Sequence, residues 1–387
     1  MTTVVLAVVL AVALLLAGRL VADLRPVPRG ARPGGRPIGR SGVSVVVPAR
    51  NEAATIGTLL GSLRHLATAP AEVVVVDDGS EDTTGAVARQ AGATVVELAG
   101  PPPGWTGKAW ACQAGADATT GDLLVFLDAD TALEPDALDG LLEVHRRHGG
   151  LVSVQPFHEV RRPYEQLSAY FNVASLMASA AFGPRPARRP MAFGPCLVTS
   201  RADYERAGGH AAVREEILDD VQLAVAYGRA GLPVRCLVGG PAMRMRMYPG
   251  GVRQLAEGWT KNIASGASAA EPRATTAVVA WVAAHHAVAV GAALALVEAV
   301  GGPTGVPAAG HPALWAVAWV AVAAQLRAVL RRIGSFRWWA WALFPVPLLA
   351  FDLLFARSAA RTLLRRSVRW RGRDVAVSAG RPVGEDA

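Results

Sequence analysis

Between residues 43 and 130, short apolar runs alternate with stretches of helical periodicity, and the best-defined runs end in polar clusters. Val43–Val47 leads through Pro48 into a helix-like segment from Glu52 to Leu66. Val73–Val76 ends in Asp77-Asp78-Gly79-Ser80, ahead of a helix-like Thr83–Gln90. A strand at Thr94–Glu97 and helix-like residues 107–118 precede Leu123–Leu127, which ends in Asp128-Ala129-Asp130. Runs this short, bounded by turn residues and rich in valine, read as strands covered on both faces. Alternating with helices, they predict a parallel sheet between two helical layers. Such a sheet binds ligands at the carboxyl ends of its strands, which is where these acids fall. No internal repeat is visible.

The flanks of this unit are too apolar for a soluble protein. Hydrophobic residues make up 52% of the 387, and the mean hydropathy is +0.29. Residues 4–18 carry no charge, and with Thr2, Thr3 and Arg19-Leu20-Val21 at the interfaces they suffice for a span. A cleaved signal peptide would need Lys or Arg before the run, and none is there. The run therefore reads as an uncleaved anchor. Arg19, Arg25, Arg29, Arg32, Arg36 and Arg40 follow it, so this flank is expected to be cytoplasmic and the N-terminus outside. Three more apolar stretches cover about 274–300, 313–330 and 338–356, with Trp281, Trp315, Trp319 and Trp338-Trp339-Ala340-Trp341 suited to interfacial belts. Arg331, Arg332 and Arg337 precede the last stretch, and Arg357, Arg361, Arg365, Arg366, Arg369, Arg371 and Arg373 follow it. Both sides read as cytoplasmic, which a simple span cannot satisfy. Pro345 and Pro347 in its middle are expected to break a helix. The last stretch is therefore expected to be re-entrant or interfacial, with the tail inside. The expected organisation is an anchor at 1–24, a basic Pro/Gly linker at 25–41, a cytoplasmic α/β domain at 42–272, transmembrane or interfacial helices at 273–356, and a basic cytoplasmic tail at 357–387, disordered after Arg373.

Charged residues are only 18%, yet the formal net charge is +8, and the excess is arginine beside apolar runs. That pattern suits anionic headgroups. No zinc spacing appears, nor a basic face interleaved with aromatics, so no nucleic-acid partner is expected. Cys112, Cys196 and Cys236 show no CxxC spacing; they form no disulfide framework and fit a reducing compartment.

Asp128-Ala129-Asp130, leaving an apolar strand, can hold a hard divalent cation such as Mg²⁺ or Mn²⁺ together with a diphosphate; the plainer account is a solvated acidic loop. Asp77-Asp78-Gly79-Ser80 can accept from a nucleobase or ribose, or merely cap the next helix. Pro48-Ala49-Arg50-Asn51-Glu52 invites the same two accounts. Gly104-Trp105-Thr106-Gly107-Lys108 looks like a phosphate loop but fails the P-loop pattern, with Pro102 and Ala109 at the diagnostic positions. Lys108, one of two lysines beside Lys261, could neutralise a diphosphate. Glu215–Asp220 opens a helix-like stretch: one acid could act as a base on an acceptor, or all could serve the helix start. Residues 165–182, flanked by arginines, read either as an interfacial helix guiding a lipid or as a buried core helix. His285 and His286 share an apolar span without sharing a helix face, so neither is expected to be a ligand.

In order, VVVPARNE (45–52), VVVVDDGSEDTT (73–84), GDLLVFLDADT (121–131), FGPCLVTSRADYERAGGH (193–210) and ILDDVQLA (217–224) resemble the family 2 glycosyltransferases, across the whole soluble unit. GWTGKAWACQAGA (104–116), GWTKN (258–262) and WRGR (370–373) are similar to the membrane members of the staphyloxanthin pathway, which glycosylate a carotenoid carboxylic acid. The resemblance implies a GT-A fold, Rossmann-like, with one N-terminal and two to three C-terminal transmembrane helices. It implies that Pro48, Asn51, Glu52 and Asp78 contact the uridine part of a UDP-sugar, with Lys108 nearby. Asp128 would contact ribose or metal and Asp130 would ligate Mg²⁺ or Mn²⁺. Asp220 would be the catalytic base, preceded by Asp219 where the family's motif has Glu. Gly194, His210, Trp259, Lys261 and Asn262 fall in acceptor or loop motifs. The QxxRW motif of processive relatives is absent, which argues against a polymerase. The expected activity is inverting, metal-dependent transfer of a sugar, glucose by analogy, to a lipid-like acceptor at the cell membrane. A polyprenyl phosphate, diacylglycerol, ceramide-like or hopanoid acceptor remains an alternative; so do a nucleotidyltransferase and a non-catalytic membrane scaffold.

Overall fold

The computed structural model describes residues 2–30, 42–184, 187, 189–266, 270–301, 310–365, 367–370 and 373–376. The apolar runs become strands β1 (Val43–Ala49), β2 (Glu72–Asp77), β3 (Thr94–Glu97) and β4 (Leu123–Leu127), followed by β5 (Thr131–Leu133), β6 (Leu151–Gln155), β7 (Phe157–His158), β8 (Cys196–Ser200), β9 (Val234–Val238) and β10 (Met243–Met245). A seven-stranded sheet has the order β3-β2-β1-β4-β8-β6-β9, and β5-β10-β7 form a small second sheet. The four strands read from the sequence, β1 to β4, pair in parallel as expected, but the sheet as a whole is mixed: β8 runs antiparallel to β4 and β6. The cause is where the chain re-enters. Residues 159–195 make an excursion that returns at the carboxyl end of β4, where Pro195 O accepts from Asp128 N, so the next strand must run backwards.

Helices α1 (Thr2–Leu20), α2 (Ile56–Arg64), α3 (Thr84–Gln90), α4 (Gly107–Asp117), α5 (Ala137–His148), α6 (Ala169–Ala178), α7 (Arg201–Arg206) and α8 (Asp219–Arg229) come next in chain order, then α9 (Val252–Gly266), α10 (Pro272–Ala299), α11 (Pro312–Ile333), α12 (Trp338–Ala342) and α13 (Pro345–Arg365). Side chains alternate across a strand: Val45 and Val47 join one core with Leu59, Leu63 and Leu141, while Val46 joins another with Ala111, Phe126 and Tyr227. Helix α4 lies at backbone distance from the sheet, because a Cβ on Gly115 would fall 2.3 Å from Val46 Cγ1. That approach fixes where Lys108, on its first turn, can point.

Helices α1, α10 and α11 are long and apolar enough to cross a membrane. Gln325 ties them together, accepting from Trp281 Nε1 at 2.8 Å and donating to Leu14 O at 2.8 Å. Of the two accounts for residues 165–182, the core helix is the one observed: α6 buries Tyr170, Phe171, Val173, Leu176 and Met177. Its sides are covered by α1, α10, α11 and α13, so no apolar face is left for a bilayer surface. His285 bonds Tyr170 Oη at 2.7 Å and His286 bonds Asp352 at 2.8 Å.

Pro345 and Pro347 do not break a helix; they open α13. In the first turn the missing N–H removes no helix bond, and the interruption falls just before it, at Leu343-Phe344. Residues 25–30 are docked rather than free: Val27 N donates to Val238 O, and Val238 N to Arg25 O, both at 2.9 Å. Residues 31–41, the rest of the linker, lie outside the described residues. So do 377–387, but the stretch just after Arg373, expected to be disordered, is paired: β11 (Ser367–Trp370) and β12 (Arg373–Ala376) form an antiparallel ladder.

Candidate active site

The loops after β1 and β2 are stapled to each other. Asn51 sits at φ 54°, a conformation that asparagine tolerates better than most residues. Its N–H donates to Ser80 Oγ at 2.9 Å, and its Oδ1 accepts from Glu81 N at 2.8 Å. Glu52 N donates to Thr84 Oγ1 at 2.8 Å. Asp78, buried at the end of β2, has the Arg50 guanidinium 3.9 Å from its Oδ2, and Arg50 also donates to Asp78 O at 3.1 Å. Pro48 lies opposite Val76 in the ladder. These bonds make one rigid ledge of the two loops, with Asn51 exposed at its rim.

The second group gathers where β4 ends and where α4 and α8 begin. Lys108 Nζ is 2.8 Å from Asp128 Oδ1. Gly194 N donates to Asp220 Oδ2 at 2.7 Å, and a Cβ on Gly194 would come within 2.9 Å of Lys108 Nζ and 3.1 Å of Asp220 Oδ2. Any side chain at 194 would have to displace the lysine or the carboxylate from this geometry. Burial pushes the Asp219 carboxyl up to about 6; Lys108 works against that shift, while Asp220 and Asp128 add to it. Asp220 is raised for the same first reason, burial, with Lys108 again opposing. Burial works against the Lys108 charge, but Asp128 and Asp219 outweigh it and hold the ammonium well above its usual range. A cation between three acids at a helix start is suited to receive a diphosphate.

Asp130 forms the third group with Tyr248, whose hydroxyl is raised first by burial and then by the Asp130 charge. Tyr248 sits at φ 57°, accepts from Asn262 Nδ2 at 3.0 Å, and its carbonyl takes the Tyr164 hydroxyl at 2.9 Å. Asn262 and Lys261 are on α9. Trp259, on the same helix, is buried: it stacks on Phe171 at 4.7 Å and donates Nε1 to Ser168 Oγ at 2.9 Å.

The sequence candidates thus fall into three sets: Pro48, Asn51, Glu52 and Asp78; Lys108, Asp128, Asp219, Asp220 and Gly194; and Asp130 with Asn262, joined through Tyr248. His210 and Trp259, expected in acceptor or loop positions, are not open to a substrate. His210 is 1% exposed, packs on Phe126 at 5.0 Å and bonds Tyr204 Oη at 2.8 Å. Burial first, then Lys108, pulls its imidazole down to about 3. Both rings act only through what they hold in place. Tyr248 was missed by sequence reasoning; Ser80 and Thr84 lay inside the marked 73–84 motif, but their bonds to the loop after β1 were not foreseen.

Among the described residues no group of three or more His, Cys, Asp or Glu forms a ready-made metal cage. A hard cation does not need one. Mg²⁺ or Mn²⁺ takes oxygen ligands and completes its shell with water and substrate phosphates, so Asp128 and Asp130, all-oxygen donors at a strand end, fit such an ion.

Residues 44–205 match the family model described as glycosyl transferase family 2. The 4,4'-diaponeurosporenoate glycosyltransferase of Staphylococcus aureus is 34% identical over 342 residues, 87% of this chain and 88% of that protein. Among solved structures, the mannosyltransferase PcManGT from Pyrobaculum calidifontis, in complex with GDP-Man and Mn²⁺, is similar at a TM-score of 0.50 and 21% identity, over 93% of this chain and 98% of its own.

Proposed function

The chain belongs to glycosyl transferase family 2, and from that premise we propose that it moves a hexose from a UDP-sugar to an apolar carboxylic acid at the cytoplasmic face of a membrane, inverting the anomeric centre. The observation that carries this reading is the convergence of Lys108, Asp128, Asp219 and Asp220 around Gly194. The S. aureus relative, by its name, acts on diaponeurosporenoate, and the three apolar helices here suit an acceptor that never leaves the bilayer.

The ledge of Asn51, Glu52 and Asp78 holds the uridine. Lys108 meets the diphosphate from the first turn of α4, where backbone N–H groups add to its charge. Asp128 and Asp130 would hold a divalent cation, which would offset the charge growing on the leaving UDP. Asp220, aimed by the Gly194 N–H, orients the acceptor oxygen and takes its proton where one is present. A carboxylate acceptor arrives without that proton, and Asp220 then positions rather than deprotonates. The acceptor oxygen attacks the anomeric carbon as the bond to the diphosphate oxygen breaks, and one displacement inverts the centre.

The test is transfer from labelled UDP-glucose by the full chain in detergent, with Mn²⁺ or Mg²⁺, offered a carotenoid acid or a total lipid extract. Labelled carotenoid ester that disappears on chelation and in Asp130→Ala supports the reading. Label in a phospholipid-like or polyprenyl product would replace the acceptor, and diphosphate instead of UDP as product would replace the chemistry with nucleotidyl transfer. Absence of donor binding would favour a scaffold.

A further inference from the structure

The Arg-rich segments on both sides of the last apolar stretch pose a question of topology, and the contacts of α12 and α13 answer it. The chain leaves α11 on the side of the α/β domain: Ser335 N donates to His158 O at 2.9 Å, and Arg337 N to Gln166 Oε1 at 2.9 Å. It then moves along the spans. Trp319 Nε1 donates to Ala342 O at 3.0 Å. The Phe344 ring sits 4.6 Å from Trp319 and 5.6 Å from His285. Trp319 lies fourteen residues before Ile333, and His285 thirteen after Pro272. At 1.5 Å per residue both are about 20 Å from the domain-side ends of α11 and α10, well into a hydrocarbon core of about 30 Å. Leu343 and Phe344 interrupt the helix there, and Pro345 starts the return. Thirteen residues after Pro345, Ser358 Oγ donates to Thr260 O on α9, at 2.9 Å. The way back, about 20 Å at the same rise, matches the depth at which Trp319 and His285 meet Phe344.

We propose that residues 337–361 form a re-entrant helical hairpin, which enters the bilayer from the side of the α/β domain, turns at Leu343-Phe344 and returns to that side. Its outer face is covered by acyl chains. Val346, Leu349 and Leu353 lie on that face at helical spacing, 49%, 59% and 63% exposed, while Phe344 and Leu348 pack inward. The charged groups at depth are matched, as a low-dielectric setting demands: Asp352 meets His286 Nε2 at 2.8 Å, and the Arg327 guanidinium lies over the Trp341 ring at 5.6 Å. Arg332 and Arg337 at the entry of the hairpin and Arg357 and Arg361 at its exit then share one membrane surface, in accord with the positive-inside rule. The return helix carries α9 and with it Asn262, so the hairpin holds the Tyr248 edge of the site against the bilayer.

The full chain, with Cys236→Ser and with Cys112 and Cys196 left buried, is given one accessible cysteine at a time by Arg332→Cys, Arg361→Cys, His311→Cys and, on the α/β domain, Arg89→Cys. A membrane-impermeant maleimide is applied to sealed vesicles of either orientation. Positions 332, 361 and 89 should label from one side and 311 from the other; labelling of 361 together with 311 would overturn the hairpin in favour of a span. In vesicles of 70% phosphatidylcholine and 30% phosphatidylglycerol, spin labels at Leu349→Cys and Leu353→Cys should be relaxed by oxygen and shielded from an aqueous nickel chelate. Strong relaxation by nickel at both would place the face in water and overturn its immersion. Neither readout involves sugar transfer, so either can fail while the enzymatic reading stands, and the reverse.

Discussion

Gly194→Ala isolates the geometry on which the active-site reading depends. The added Cβ would stand 2.9 Å from Lys108 Nζ and 3.1 Å from Asp220 Oδ2. Reaching the 3.4 Å of an ordinary contact moves the ammonium by about 0.5 Å and the carboxylate oxygen by about 0.3 Å. Gly194 does not occupy the left-handed region, so alanine meets no backbone penalty. The lysine end is flexible and its side chain keeps 38% exposure, so weakening its ion pair costs at most about 1 kcal/mol. The thermal midpoint should therefore fall by only about 2–4 °C. Catalysis is less forgiving, since misplacement approaching 1 Å costs up to about a hundredfold. Turnover should drop roughly 10- to 100-fold, a rise of about 1.4–2.7 kcal/mol in the barrier. Steady-state kcat and KM for the UDP-sugar, measured beside a thermal melt, separate the two effects. A variant with kcat within about twofold of the parent and an unchanged melt would refute the idea that Lys108 and Asp220 act together beside Gly194.

Gly115→Ala forces a Cβ to within 2.3 Å of Val46 Cγ1 and should destabilise by about 1–3 kcal/mol through overpacking; an unchanged denaturation midpoint would show that α4 can lift off the sheet freely. Asp220→Asn keeps the shape and removes the charge, so turnover with a hydroxyl acceptor should fall about 10²- to 10⁴-fold, and by much less with a carboxylate acceptor, which brings no proton; equal losses with both would contradict the two roles given to Asp220. Burial holds His158 down at about 4 and His210 at about 3, both below an unfolded value of about 6.5. The unfolded chain binds those protons first, so stability is full above about pH 6.5 and falls by roughly 1.4 kcal/mol per pH unit for each histidine down to the folded values. Urea unfolding between pH 8 and 5 should show that slope, and His210→Gln should flatten it; a chain that grows more stable towards pH 5 contradicts it.

Local pattern and three-dimensional approach divide what could be read in advance. β3 and β4 occupy the residues marked for them in advance; β3 is a short, part-exposed edge strand that carries only two valines, while β4, buried along most of its length, writes itself as a continuous apolar run. The acids after β2 and β4 were legible for the same reason: a strand that ends in carboxylates announces the ligand edge of its sheet. The reversal of β8 was not legible, since Cys196–Ser200 has the same apolar character as its neighbours and its direction is set by where residues 159–195 bring the chain back. α6 is apolar all round, and only the arrival of α1, α10, α11 and α13 from distant parts of the sequence decides that it is core. Gly194 belonged to a motif, but its function as the gap between Lys108 and Asp220 depends on three segments meeting. Pro345 misled for a related reason: proline forbids a helix interior yet favours a helix start, and the sequence around it does not say which side of the break it lies on. The arginines bear on the proposed hairpin at longer range: two basic flanks on one side of a membrane are incompatible with a single crossing, and a proline-initiated return helix is what the proposed turn would use.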